Sequence, residues 1–195
     1  MSSGVIRLSG LAAMLGGVLG IVLTPILSYL WITNSEAYLY YGRTYFLVYV
    51  GCLLGLTGLH SRRRASRSRD ENLGFGVTFF GLAMGLIGDV LAYWGGIPGQ
   101  DFTQVQSKGF GVEVLGLLTV LIGSVVLGAF YLRASVSPKL VAWLLIAAGP
   151  GGLLLSGLHA PSGTLFLFCC AWMVLGYLLL AGKDVSTGQQ AGRVS

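Results

Sequence analysis

The sequence predicts an all-α integral membrane protein, built as a single bundle of six transmembrane helices. Three observations lead to this fold class. Only 10% of the 195 residues are charged, whereas soluble domains carry about 25%. Hydrophobic residues make up 54% of the chain, and the mean hydropathy is +0.79. The apolar residues also form runs close to the ~20 residues that span a bilayer. Such a chain cannot cover a water-facing surface, so we expect lipid to surround most of it.

The predicted helices follow one another with short polar connections. They cover residues 8–31, 38–59, 73–94, 110–132, 140–158 and 164–181. Together with their connections they form one membrane domain, residues 1–182. Residues 183–195 are polar and Gly-rich. We expect them to be a disordered tail, because chain ends that nothing ties down are poorly ordered.

Glycines recur at helical spacing in the first three predicted helices. They are Gly16, Gly17, Gly20, Gly51, Gly55, Gly58, Gly81, Gly85 and Gly88. Small residues let two helix backbones approach closely in a membrane. These faces are therefore predicted to be contacts between helices.

Aromatic side chains crowd the start of the second predicted helix. They are Tyr38, Tyr40, Tyr41, Tyr45, Phe46 and Tyr49. Amphipathic rings favour the headgroup level, so the group is interpreted as an interface belt. Arg43 lies among these rings and can extend its charged head to the interface. We interpret Arg43 as an anchor, with binding of an anion or a lipid headgroup as the alternative.

An Arg-rich stretch between the second and third helices fixes the orientation of the bundle. Residues 60–72 contain Arg62, Arg63, Arg64, Arg67 and Arg69. If both termini are cytoplasmic, ten of the twelve basic residues lie on the inner side. The positive-inside rule therefore predicts cytoplasmic N- and C-termini in the cell (plasma or inner) membrane. The arginines are also expected to contact anionic lipid headgroups, at about 1 kcal/mol per basic residue.

The number and orientation of the helices allow an internal repeat. Helices 1–3 and 4–6 would form two halves of opposite orientation, which is the plan of many inverted-repeat transporters. The two halves share a weak Leu/Gly texture. Chance explains this texture at least as well, because Gly, Leu and Val dominate any membrane helix. A weak 3+3 inverted repeat therefore stays open.

Ionisable side chains within the apolar runs are the candidate functional residues, because each costs about 2.5–3.5 kcal/mol at a helix centre. Asp89 lies roughly 9 Å from the outer end of its helix. Tyr93 is one turn further along the same face, within reach of a hydrogen bond to Asp89. Glu113 begins the fourth helix and His159 ends the fifth, at the same membrane surface. Asp89, Glu113 and His159 could form a proton relay or a hard-metal site. The favoured interpretation is that they are separate interface residues, with Asp89 making one structural hydrogen bond between helices.

A Gly-Pro-Gly-Gly segment, residues 149–152, is predicted to interrupt the fifth helix around Pro150. A broken helix exposes backbone groups that lipid cannot satisfy, so the break must be buried or line a cavity. Transporters use such breaks to bind substrates or ions. A proline kink packed by neighbouring helices is nevertheless the favoured interpretation.

Several function classes lack support in the sequence. There is no HExxH, GxSxG, Walker or CxxC motif, and no cofactor or metal is predicted. Cys52, Cys169 and Cys170 lie in apolar runs and are interpreted as packing residues. The net charge of +5 does not indicate nucleic-acid binding, because the basic residues lie between membrane helices.

Three functions remain. The favoured one is a small transporter or permease-like protein, with Asp89 as a proton- or ion-coupling carboxylate. The second is a non-enzymatic scaffold or accessory subunit that forms a homo-oligomer or binds a partner membrane subunit. The third is a membrane-embedded enzyme that modifies lipids, which would require Asp89, Glu113 and His159 to converge. The missing motifs favour a protein that is not an enzyme.

Overall fold

The computed structural model describes residues 3–62, 69–95, 103–134, 139–157 and 165–181. These ranges are almost entirely helical, which confirms the all-α class. In chain order the helices are α1 (Ser3–Thr33), α2 (Ser35–Gly42), α3 (Phe46–Arg62), α4 (Arg69–Trp94), α5 (Gln104–Arg133), α6 (Lys139–Gly157) and α7 (Phe166–Leu180). The predicted tail, residues 183–195, lies outside the described ranges.

Four segments are long and apolar enough to cross a membrane. They are Gly4–Thr33, Glu36–Arg62, Arg69–Trp94 and Gln104–Arg133. Two further apolar helices are shorter, Lys139–Leu154 and Phe166–Leu180. At 1.5 Å per residue, the 15 residues of α7 extend about 22 Å, less than the ~30 Å hydrocarbon core. The structure therefore shows a helical protein compatible with membrane residence, with four candidate spans.

Large apolar side chains cover the outside of the helices. On α1 they recur every three or four residues, at Leu8, Leu11, Leu15, Val18, Val22, Ile26 and Tyr29. A helix on the surface of a soluble protein places polar residues on this face. Contact with lipid explains an apolar face that no other part of the described chain covers.

The second predicted helix is divided in two, contrary to the single helix expected over residues 38–59. The connection between α1 and α2 is reduced to Asn34, which caps α2 by accepting a 3.0 Å hydrogen bond from Ala37 N. A tighter turn separates α2 from α3, where Tyr45 N donates to Gly42 O at 2.8 Å. The chain therefore changes direction among its tyrosines, which decides where their rings point.

Helix α5 begins at Gln104, six residues before the predicted start at residue 110. Thr103 Oγ1 accepts a hydrogen bond from Gln106 N, and Gln106 Oε1 accepts one from Thr103 N. This reciprocal pair is a capping box, which satisfies two backbone donors at a helix start. The loop predicted over 95–109 is correspondingly shorter.

The fifth transmembrane helix, predicted over residues 140–158, is continuous, and the break considered at residues 149–152 is not observed. Helix α6 runs from Lys139 to Gly157 and contains Pro150. Proline removes one backbone hydrogen bond, a loss that membrane helices tolerate because neighbouring groups compensate. Pro150 is exposed on the surface of α6, so the helix accommodates its ring without breaking.

The helices pack as a closed ring. Helix α1 packs on α3, and from α3 onward each helix packs on the next one in the chain. Helix α7 closes the ring against α1. The most extensive contacts are those of α4 with α5 and of α1 with α7. Inside the ring, the largest fully buried side chains include Trp172, Tyr49 and Phe168.

Glycines bring the helix backbones together, as predicted. A Cβ on Gly17 would lie 2.6 Å from Met173 N, and one on Gly51 would lie 2.7 Å from Ala12 O. Between α4 and α5, a Cβ on Gly81 would lie 2.6 Å from Val120 N. Real side chains do not approach backbone this closely, so these positions admit only glycine without a shift of one helix.

Candidate functional site

Asp89 and Glu113 lie on the packed faces of α4 and α5. Both side chains are buried, with 0% of Asp89 and 8% of Glu113 exposed. Gly88 brings the two helices together at this level, since a Cβ there would lie 2.6 Å from Glu113 Cα. The structure therefore places Asp89 and Glu113 at the same level of the α4–α5 interface.

The hydrogen bonds of the two carboxyl groups differ. Tyr49 Oη donates to Glu113 Oε1 at 3.3 Å. Neither oxygen of Asp89 has a hydrogen-bond partner among the residues that the structure describes. The predicted bond between Tyr93 and Asp89 is wrong, because Tyr93 Oη donates to Tyr38 Oη at 2.7 Å.

A cavity of about 80 Å³ adjoins Glu113 at the end of the bundle where α1 and α4 end and α3 and α5 begin. We call this end the tyrosine end. The lining residues are Leu27, Tyr38, Tyr45, Tyr49, Tyr93, Phe110, Glu113, Val114, Leu117 and Leu165. Val114 is exposed, so the cavity lies next to the surface of the bundle. Asp89 is not among the lining residues.

Three of the tyrosines predicted to form an interface belt point inward instead. Tyr38, Tyr45 and Tyr49 are at most 5% exposed, whereas Tyr40 and Tyr41 are at least half exposed. The inward group was missed as a site feature. The spacing of Tyr38, Tyr45 and Tyr49 could have indicated a shared buried face, because residues seven and four apart return to the same side of a helix.

Arg43 holds the turn between α2 and α3 against the end of α4. Its Nε donates to Tyr93 O at 3.0 Å, and its guanidinium lies 5.4 Å from the centre of the Trp94 ring. A cation at the carboxyl end of a helix satisfies an unpaired carbonyl and interacts favourably with the helix dipole. Arg43 therefore joins the α2–α3 turn to the end of α4, and its predicted role as an anchor at the lipid interface stays a prediction.

The other predicted site residues lie elsewhere. Pro150 is not among the cavity residues. Arg62 ends α3 and Arg69 begins α4, at the end of the bundle opposite the tyrosine end. His159 and the loop arginines Arg63, Arg64 and Arg67 lie outside the described residues, so their convergence and lipid contacts remain predictions.

The described ranges contain no cluster of three or more His, Cys, Asp or Glu side chains that could hold a metal ion. Cys52 and Cys169 are buried free thiols and Cys170 is partly buried. The chemistry of the site is therefore that of two carboxyl groups and a wall of tyrosines. Comparison of the chain with protein-family models, curated proteins and solved structures found no significant match.

Proposed function

We propose that the chain is a small transporter or permease-like protein of the plasma membrane, in which Glu113 and Asp89 couple or pass a proton or cation. The observation that carries the proposal is the pair of buried carboxyl groups on the packed faces of α4 and α5, of which Glu113 lines a cavity. Ionisable groups within a membrane are costly, and they commonly mark ion pathways and proton relays. Two such groups on neighbouring helices could exchange a proton or share a cation.

We propose six membrane spans with both termini cytoplasmic, and the closed ring of helices supports the number of spans. Helices α6 and α7 complete the ring between α5 and α1. Leu153, Leu154 and Tyr177 are exposed on them, and these side chains would face water in a four-span arrangement. The proposed orientation directs the tyrosine end outward. It leaves Arg62 and Arg69 at the cytoplasmic surface, as the positive-inside rule requires.

The ring also suits the inverted repeat. In such a repeat, α1, α3 and α4 of the first half correspond to α5, α6 and α7 of the second half. The α4–α5 interface then corresponds to the α7–α1 interface. These are the two most extensive interfaces of the bundle. An alternating motion of the two halves could then expose the carboxyl pair to either side.

Proton flux into liposomes tests the proposal. Purified protein is reconstituted, a potassium gradient with valinomycin sets the membrane potential, and an enclosed pH-sensitive dye reports proton entry. We expect Asp89→Asn and Glu113→Gln each to reduce the flux at least tenfold, since neither amide can carry the charge. Glu36→Gln, which alters an exposed carboxylate of α2, is the matched control and should retain the flux. Equal flux through all four proteins would remove the proposed role of the pair.

A scaffold or accessory subunit is the alternative, and one observation favours it. Outside the small cavity, the ring is packed by glycine contacts and large apolar side chains. This alternative expects no flux in the wild-type protein. It also expects a homo-oligomer or a stoichiometric partner subunit after purification in mild detergent.

A further inference from the structure

We propose that the cavity beside Glu113 binds a small ammonium-type cation, of the size of ammonium or methylammonium. This assignment rests on the transport function proposed above and names the class of its substrate. Three properties of the site lead to it: the aromatic walls of the cavity, the buried carboxyl groups without a cationic partner in the described ranges, and the volume of the cavity.

The walls are aromatic rings set at steep angles to one another. Tyr38 and Tyr93 have ring centres 5.7 Å apart at 61°, and Tyr93 and Phe110 have centres 5.3 Å apart at 76°. Tyr45 and Tyr49 repeat this arrangement at 5.7 Å and 74°. The faces of such rings attract a cation, and aromatic cages recognise substituted ammonium groups in this way.

The two carboxyl groups have no cationic partner among the residues that the structure describes. Among the described residues, no lysine or arginine forms an ion pair with Asp89 or Glu113, and the one hydrogen bond to the pair comes from Tyr49. A buried charge without a partner is strongly destabilising. A cation in the cavity would stabilise the ionised form of Glu113 directly, and an ionised Asp89 would add a longer-range attraction.

The volume and the lining restrict the cation. A cavity of about 150 Å³ accommodates benzene, so about 80 Å³ admits only a few non-hydrogen atoms. Hard cations such as Ca²⁺ and Mg²⁺ require about six or more oxygen ligands, whereas this wall is mostly carbon and its side-chain oxygen atoms are those of Glu113 and the tyrosine hydroxyls. An ammonium group instead gains from the ring faces and donates hydrogen bonds to the Glu113 carboxylate.

Equilibrium binding of radiolabelled methylammonium tests the assignment. The full chain is placed in nanodiscs, and dissociation constants are measured for the wild type and its variants. We expect saturable binding that Glu113→Gln reduces at least tenfold. Phe110→Leu, which removes a ring that carries no hydroxyl, should weaken binding about fivefold, since one ring contributes on this scale. Phe110→Tyr keeps a ring and should stay within about twofold of the wild type.

Tyr49 provides a second set of variants at the buried wall. We expect Tyr49→Leu to weaken binding about tenfold, while Tyr49→Phe retains the ring and most of the affinity. Tyr40→Leu removes an exposed tyrosine of α2 and should bind as the wild type does. Thermal unfolding of each variant identifies any that fail to fold, and the Phe110 pair then decides the result.

Three results would overturn the assignment: no methylammonium binding by the wild type, equal affinity in Phe110→Leu and Phe110→Tyr, or equal displacement by sodium at the same concentration. Failure of the assignment can be told apart from failure of the transport proposal. Proton flux that depends on Asp89 and Glu113, without methylammonium binding, removes the substrate class alone. Absence of both flux and binding removes both.

Discussion

The carboxyl groups of Asp89 and Glu113 lie in two different environments. Asp89 is fully buried against α5 without a hydrogen-bond partner in the described chain, whereas Glu113 faces a cavity and accepts a bond from Tyr49. The sequence ranked Asp89 first because Glu113 was placed at a helix start. With α5 beginning at Gln104, Glu113 lies about 14 Å along the helix axis. The Thr103–Gln106 capping box was the overlooked signal.

We expect Asp89 to lower the stability of the folded protein, because its carboxyl group is buried without a hydrogen-bond partner in the described chain. We expect Asp89→Leu to raise the free energy of unfolding by about 1 kcal/mol or more, because replacing an unpaired buried polar group with an apolar one of similar volume is often stabilising. Thermal unfolding in detergent measures this change. A variant less stable than the wild type would show that Asp89 is a structural partner within the bundle.

The inward-facing tyrosines could be predicted only in part. Tyr38, Tyr45 and Tyr49 share one face of an ideal helix, and Tyr93 lies one turn beyond Asp89. The turn after Gly42 changes the direction of the chain between Tyr38 and Tyr45. The spacing of the tyrosines could therefore be read from the sequence. Their convergence with Tyr93 and Phe110 at one cavity could not, because it depends on tertiary packing.

At the level of the helices, the glycine faces were the most reliable prediction. The faces on α1, α3 and α4 all contact a neighbouring backbone. A further seven-residue repeat on α5, at Gly109, Gly116 and Gly123, meets α4 and was overlooked. Glycine spacing identifies a packed face, but it cannot say which helix packs against it, because every glycine face accepts any close backbone.

Glycine substitutions on α5 separate packing from helix propensity. A Cβ on Gly116 would lie 2.8 Å from Gly81 O, whereas a Cβ on Gly111 meets nothing within 4 Å. We expect Gly116→Ala to destabilise the protein by about 1–3 kcal/mol, as overpacking does. The control Gly111→Ala should be neutral or stabilising by up to about 1 kcal/mol, because alanine favours the helix. Denaturant titration of both variants measures the difference, and equal effects would contradict the close α4–α5 contact.

For the whole molecule, composition was sufficient to predict the helical class and membrane-compatible helices. It could not predict ring closure, because the contact between α1 and α7 joins the two ends of the chain. The number of membrane spans follows less directly from the sequence than the all-α class does, since α6 and α7 are shorter than the four candidate spans. Orientation rests on the distribution of basic residues alone.

Labelling of introduced cysteines tests the proposed orientation. Ser107 is exposed at the tyrosine end, and Asp70 is exposed at the opposite end. We expect a membrane-impermeant maleimide added to intact cells to label Ser107→Cys, and to label Asp70→Cys only after the membrane is permeabilised. The wild type, whose three cysteines lie within helices, corrects for background. The reverse labelling pattern would contradict the proposed orientation and place the tyrosine end at the cytoplasmic surface.

The most direct test of the account is the proton flux of four reconstituted proteins: the wild type, Asp89→Asn, Glu113→Gln and the double variant. Residues that act in one site have non-additive effects, whereas independent residues have additive ones. We expect each single variant to lose at least tenfold and the double variant to lose little more than either. Flux that is unchanged in both single variants, or losses that simply add in the double variant, would contradict a shared carboxylate site.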